Sequence, residues 1–133
     1  RIALLSYSNF GSSKGDDAEK MSNATAILHR DHPDLIVDGE IQANFAINQE
    51  MLAESFPFSA LNQRKVNILI FPNLSSGNIS YKLLKEMGGV EAQGPVLLGM
   101  KKSVHILQMG SSAKEIVDMV RLAVVDAHNK SKS

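Results

Sequence analysis

RIALLSYSNFGSSKGDD, residues 1–17, decides the fold. Ile2-Ala3-Leu4-Leu5 is a short, continuously apolar run, the pattern of a strand buried on both faces. It empties into Ser6–Ser13, a loop of Ser, Asn and Gly, and a charged helical pattern begins at Asp16. Strand, polar loop and helix in that order open an α/β unit, and such a loop is well suited to holding phosphate.

The same reading extends along the chain. Arg1–Ser6 reads as the first strand and Asp16–Arg30 as the first helix, with Asp16 as cap and Glu19 completing a capping box. Pro33 ends that helix, and Leu35–Val37 reads as a second strand closing on Asp38-Gly39-Glu40. Gln42–Ser55 reads as one helix, 57–64 as a loop and Val66–Phe71 as a strand. Pro72–Asn78 is a second polar loop, leading into a helix from Ile79 to Met87 that Gly88-Gly89 terminates. Pro95–Met100 and Val104–Leu107 read as further strands. Ser112 starts the last helix with Glu115 completing a capping box, and the tail Asn129–Ser133 reads as frayed. This alternation predicts a three-layer α/β/α sandwich with a mostly parallel sheet.

Composition narrows the function. The 133 residues carry 14 basic and 14 acidic side chains, so the basic excess expected of a nucleic-acid or anionic-membrane partner is absent. No cysteine is present, which removes disulfides, thiolate chemistry and Cys-based zinc sites and fits a cytoplasmic setting. No apolar run approaches the roughly 18 residues of a spanning helix. Arg1 leads straight into a strand, as expected of a fragment of a longer chain.

Three polar loops follow strands, and ligands in open α/β sheets sit at carboxyl ends of strands. Ser8, Asn9, Gly11, Ser12 and Ser13 form one candidate binding wall; Asn73, Ser75, Ser76, Gly77 and Asn78 form the other, with Lys82 beyond. Ordinary strand-to-helix turns are the alternative. Neither loop matches a P-loop or a dinucleotide fingerprint. Asp38 and Glu40 could divide acid and base roles, or equally cap a helix or bind Arg. His29 and His32 near a helix end lack complementary ligands, so no metal site is expected; His105 reads as structural.

Five blocks together, residues 1–13, 33–46, 67–84, 94–107 and 111–125, resemble the carboxyl-terminal half of the phosphate acetyltransferase family. The resemblance implies a two-domain α/β protein that forms dimers and moves acetyl between coenzyme A and phosphate. Departures from the family pattern are informative. The family's Arg on the helix after the SGNI block corresponds to Glu86, and its Ser-Arg-Gly motif to Gln108-Met109-Gly110. The Asp proposed as its catalytic base corresponds to Glu115, a carboxylate that helix capping already explains. Acetyl transfer from a phosphate donor needs permanently charged, bidentate contacts. Losing one such contact lowers rate by about 10²–10³. Of the lysines, Lys82, Lys85, Lys101 and Lys102 are the candidate substitutes.

SNFGSS (8–13), GMKKSVHIL (99–107) and IVDMVRLAVVDA (116–127) also resemble the carboxyl-terminal domain of the large hybrid NADP-dependent malic enzymes. That resemblance implies a non-catalytic domain serving regulation and oligomerisation, with acetyl-CoA as effector. The malate, NADP and divalent-metal sites it implies fall outside these residues. An active phosphate acetyltransferase with substitute cations is the second reading, and a purely structural oligomerisation domain the third.

Overall fold

The computed structural model describes residues 1–89 and 91–131. The elements are β1 (Ile2–Leu5), α1 (Asp16–Asp31), β2 (Val37–Ile41), α2 (Ala43–Ile47), α3 (Gln49–Ser55), a 3₁₀ turn (Ala60–Gln63), β3 (Ile68–Ile70), α4 (Leu74–Met87) and α5 (Ala113–Lys130). They fall into two compact units, Arg1–Leu83 and the residues from Leu84 onward.

In the first unit the strands lie in the order β2-β1-β3, all parallel. β1 is central, and alternation along it builds two cores. Leu4 packs with Val37 and Met21, joined by Ile2, Ala24 and Leu28, on the α1 side. Ala3 and Leu5 pack with Ile41, Ala46, Leu52 and Leu61 on the other. Helices therefore cover both faces, as the apolar character of β1 requires, and the expected α/β class holds.

Several boundaries differ from the sequence reading. β2 runs through Asp38-Gly39-Glu40 instead of closing on it. Leu4 pairs with Gly39 but Leu5 with Ile41, so Glu40 is an extra residue in the ladder. A side chain cannot replace Gly39, because a Cβ there would stand 2.6 Å from the Leu4 carbonyl oxygen. The cap of α1 is Gly15, with φ of 148°, and not Asp16; Asp16, Asp17 and Glu19 fill the first turn without a capping box. The helix expected over 42–55 breaks at Asn48, whose side chain accepts from the Met51 N–H and starts α3. α4 begins at Leu74, absorbing most of the second expected loop, because the Asn73 Oδ1 accepts the Ser76 N–H at 2.9 Å.

The second unit holds the end of α4 and all of α5. The capping box of Ser112 and Glu115 is present as expected. Among the described residues, 95–100 and 104–107 form no strand. A strand needs a neighbouring ladder, and their apolar side chains, Leu98 and Ile106 among them, stay exposed. Of the tail expected to fray, Asn129 and Lys130 belong to α5, while Lys132 and Ser133 lie outside the described residues.

Candidate functional site

From β1 the chain crosses to β2 on one side, then returns past β1 to place β3 on the other. The strand order reverses between β1 and β3, and the carboxyl ends of strands at such a switch point are where α/β sheets bind ligands. The loop after β1 and the start of α4 are thereby neighbours. The Asn73 side-chain amide donates to Asp17 of α1 at 2.8 Å and ties the two helix starts together. The two walls proposed from sequence thus meet in one place.

The first wall is built inward. Ser8 is fully buried and Glu40 nearly so. The Ser8 hydroxyl donates to Glu40 Oε1 at 2.9 Å, and the Gly11 N–H donates to the same oxygen at 2.6 Å. The Phe10 N–H donates to the Glu40 carbonyl at 2.8 Å. Ser8 Oγ also accepts the Ser13 N–H at 3.0 Å and lies 3.3 Å from Ser12 Oγ. Asn9 turns its side-chain oxygen to the Gln42 N–H. Ser12 and Ser13 remain exposed as residues, but the Ser12 hydroxyl also accepts the Asn9 N–H at 2.8 Å, so Ser12 joins Ser8 and Asn9 in shaping the loop. Burial pushes the Glu40 carboxyl up, but hydrogen bonds from the Gly11 N–H, its own backbone, Ser8 and Ser22 bring it below the usual glutamate range.

The second wall is the first turns of α4. Ser76 is held by Asn73, its hydroxyl donating to the Asn73 carbonyl, and Gly77 rests against the Phe71 side chain. Ser75, Asn78 and Lys82 are exposed. Lys82 Nζ stands 5.6 Å from the centre of its neighbour Tyr81's ring and enters no ion pair among the described residues. The first turn of α1 carries three acids, whereas the first turn of α4 carries none. The first turn of α4 thus has no acid of its own, although Asp17 of α1 brings a carboxylate to Asn73 at its start.

Asp38 and Glu40 do not act on one point. Asp38 accepts from the Ser59 hydroxyl at 2.7 Å and the Ala60 N–H at 3.0 Å, pinning the 3₁₀ turn. Glu40 holds the Ser8–Ser13 loop. Sequence spacing puts the two carboxylates together; it carries no signal of which loop each would hold. His29 Nε2 lies 2.8 Å from the Val37 carbonyl, a link between α1 and β2.

In the second unit, the positions that depart from the transferase pattern carry no guanidinium. Met109 is fully exposed, the Gln108 carbonyl accepts the Ser111 N–H, and Glu86 is exposed on α4. The Ser112 backbone N–H and hydroxyl, and then Lys85, hold the Glu115 carboxyl below its usual range. A cavity of about 310 Å³ opens beside the start of α5, lined by Lys85, Glu91, Gln93, Lys114, Glu115 and Asp118 among others. Both lysines are already paired: Lys85 with Glu115 at 3.5 Å, and Lys114 with Glu91. Asp118 in turn pairs with Arg121 at 2.9 Å, so each charged side chain named here has an oppositely charged partner.

A cluster that sequence reasoning missed surrounds His105. Its Nε2 lies 3.1 Å from Ser103 Oγ and 3.6 Å from Asp126 Oδ2. A catalytic triad needs the serine and the acid on opposite ring nitrogens. Here both approach Nε2, buried Nδ1 has no partner among the described residues, and Ser103 donates to the Ala123 carbonyl, so the arrangement is structural.

Comparison with known proteins places this geometry. The family described as phosphate acetyl/butaryl transferase matches residues 1–124. The chain is 39% identical over 127 residues to a phosphate acetyltransferase of Clostridium acetobutylicum, covering 96% of this chain and 38% of the relative. It is 41% identical over 129 residues to an NADP-dependent malic enzyme of Haemophilus influenzae, covering 97% of this chain and 17% of the relative. A phosphotransacetylase structure from Streptococcus pyogenes superimposes with a TM-score of 0.85 at 40% identity, covering 99% of this chain and 39% of that one. The EutD phosphotransacetylase of Staphylococcus aureus gives 0.83 at 34%, with 97% and 39% covered.

Proposed function

The chain belongs to the phosphate acetyl/butaryl transferase family, and from that premise we propose that it is a non-catalytic regulatory and oligomerisation domain of an NADP-dependent malic enzyme, with acetyl-CoA as effector. Identity does not separate the two kinds of relative, which match at 39% and 41%. The observation that carries the reading is the chemistry of the second unit. Glu86, Gln108 and Met109 stand where a transferase would present cationic and hydroxyl groups, and the cavity lysines are neutralised by carboxylates. A multiply charged acyl phosphate would have to compete with carboxylates already paired to those lysines. Losing two guanidinium contacts at about 10²–10³ each removes most of the rate.

The topological switch point between β1 and β3 supports retained ligand binding. Coenzyme A carries several phosphates, and Lys82, which enters no ion pair among the described residues, is the cation suited to meet them. The acyl thioester is uncharged and suits the Ser12–Ser13 side. For regulation the effector must bind one quaternary state more tightly, with a coupling of about 1–3 kcal/mol. A dimer contact made by this domain is the proposed two-state element.

The test is acetyl-CoA formation from acetyl phosphate and coenzyme A by the full-length protein, beside titration of its malate oxidation with acetyl-CoA. The expected result is no transferase turnover and a change in malate oxidation. Robust turnover would establish the second reading, a working acetyltransferase.

A further inference from the structure

Glu40 is a buried carboxylate that enters no ion pair among the described residues. A charge in that setting is costly unless hydrogen bonds replace its water. Besides the one from Ser22 of α1, those bonds come from the ligand loop. The carboxylate takes the Ser8 hydroxyl and the Gly11 N–H, and the Glu40 carbonyl takes the Phe10 N–H. Ser8 then relays the arrangement outward, since its Oγ accepts the Ser13 N–H and touches Ser12.

The backbone at this point does not favour itself. Phe10 has φ of 47° and Gly11 has φ of 87°, so an aromatic residue and its neighbour both occupy the left-handed region. The Phe10 ring is set against Phe56 and Phe58, with centroids 5.0 Å away in each case. Glu40 fastens the two N–H groups of this turn from inside, and the rings hold it from the flank.

We propose that Glu40 is a positioning residue: its carboxylate, acting through Ser8 and Gly11, sets the loop conformation that presents Ser12 and Ser13 to the ligand. The ligand half of this inference rests on the function proposed above; the loop half does not. Asp38 supplies an internal control, a carboxylate of the same strand that holds a different loop.

Two measurements on the full-length protein test it. The first is amide hydrogen exchange without ligand in Glu40→Met, which keeps the side-chain length and removes the acceptor. Exchange at Gly11 and Ser13 is expected to rise at least tenfold, while Ser6, whose N–H is bonded to the Ile41 carbonyl, keeps its rate. Glu40→Gln, which retains Oε1, is expected to fall between wild type and Glu40→Met. Asp38→Asn is expected to raise exchange at Ala60 and not at Gly11. Ser8→Ala, a smaller change, repeats the Ser13 effect should Glu40→Met fail to fold. The second measurement is acetyl-CoA binding by calorimetry, where Glu40→Met is expected to weaken affinity at least tenfold and Asp38→Asn less than twofold. Unchanged exchange at Gly11 and Ser13, or a rise shared equally by Ser6, overturns the inference. So does equal loss of affinity in the Asp38 variant. A wild type that fails to bind acetyl-CoA instead sinks the proposed function, and the exchange result still decides whether Glu40 sets the loop.

Discussion

Replacing Ser8 by Ala removes one oxygen from a fully buried position. The structure fixes what is lost. Its hydroxyl donates to a carboxylate at 2.9 Å, and a hydrogen bond to a charged group is worth about 1.5–3 kcal/mol. It also accepts the Ser13 N–H at 3.0 Å, a neutral bond worth about 0.5–1.5 kcal/mol. Ser13 is exposed, so water recovers most of that second bond. Glu40 keeps the Gly11 donor. The expected loss is about 2–3 kcal/mol at pH 7, read by urea unfolding followed by far-ultraviolet circular dichroism, since the chain has no tryptophan. Paired with Glu40→Gln in a double-mutant cycle, the coupling is expected to reach about 1 kcal/mol. The pH dependence has a definite sign. The folded-state carboxyl of Glu40 lies below its ordinary range, so its contribution is present above that range and lost as pH falls through the lowered value. The gap between wild type and Ser8→Ala is therefore widest at neutral pH and closes in acid. A loss under about 0.5 kcal/mol, additive effects in the cycle, or a gap that widens in acid would refute the reasoning.

Gly39→Ala places a Cβ 2.6 Å from the Leu4 carbonyl and 2.9 Å from the Leu4 Cβ; because neither is a flexible chain end, the variant is expected to unfold or lose at least about 3 kcal/mol, checked by the same denaturation curve. Ser112→Ala removes the cap of α5 and one arm of its capping box, with an expected cost of about 1 kcal/mol and faster amide exchange at Glu115 than at Met119.

Some of this was legible in the sequence, and the division follows the range of the interactions. β1 is apolar because both its faces are covered, and α5 is marked by a cap and its partner three residues on; both signals are local. β2 was misplaced because Asp38 and Glu40 look like loop residues, and the groups that satisfy them, Ser59 and Ala60 for one and Ser8 and Gly11 for the other, lie far away in sequence. Ser75, Ser76, Gly77 and Asn78 have loop propensity, yet Asn73 caps them into a helix. The strands expected over 95–107 needed a ladder that periodicity cannot supply. As for the site, the polar loops after strands were legible as candidates, but not the strand order that sets β1 beside β3, nor that Ser8, Asn9 and Ser12 would bond within the loop.

The two walls of the candidate site also differ in a way that residue type alone conceals. Both are Ser- and Asn-rich helix approaches, and both look equally fit for phosphate. Around α1, however, the Gly11 and Ser13 N–H groups are already spent on Glu40 and Ser8, and Asp16, Asp17 and Glu19 answer the positive end of the helix from within. Lys20 offsets only Asp17, at 2.9 Å. At α4 one N–H is taken by Asn73, the first turn has no acid of its own though Asp17 reaches Asn73, and Lys82 enters no ion pair among the described residues. Under the function proposed above, Lys82 would meet the phosphates of the effector and the Ser12–Ser13 side its uncharged end, so charge at Lys82 and hydroxyls on the β1 loop would govern different parts of one ligand.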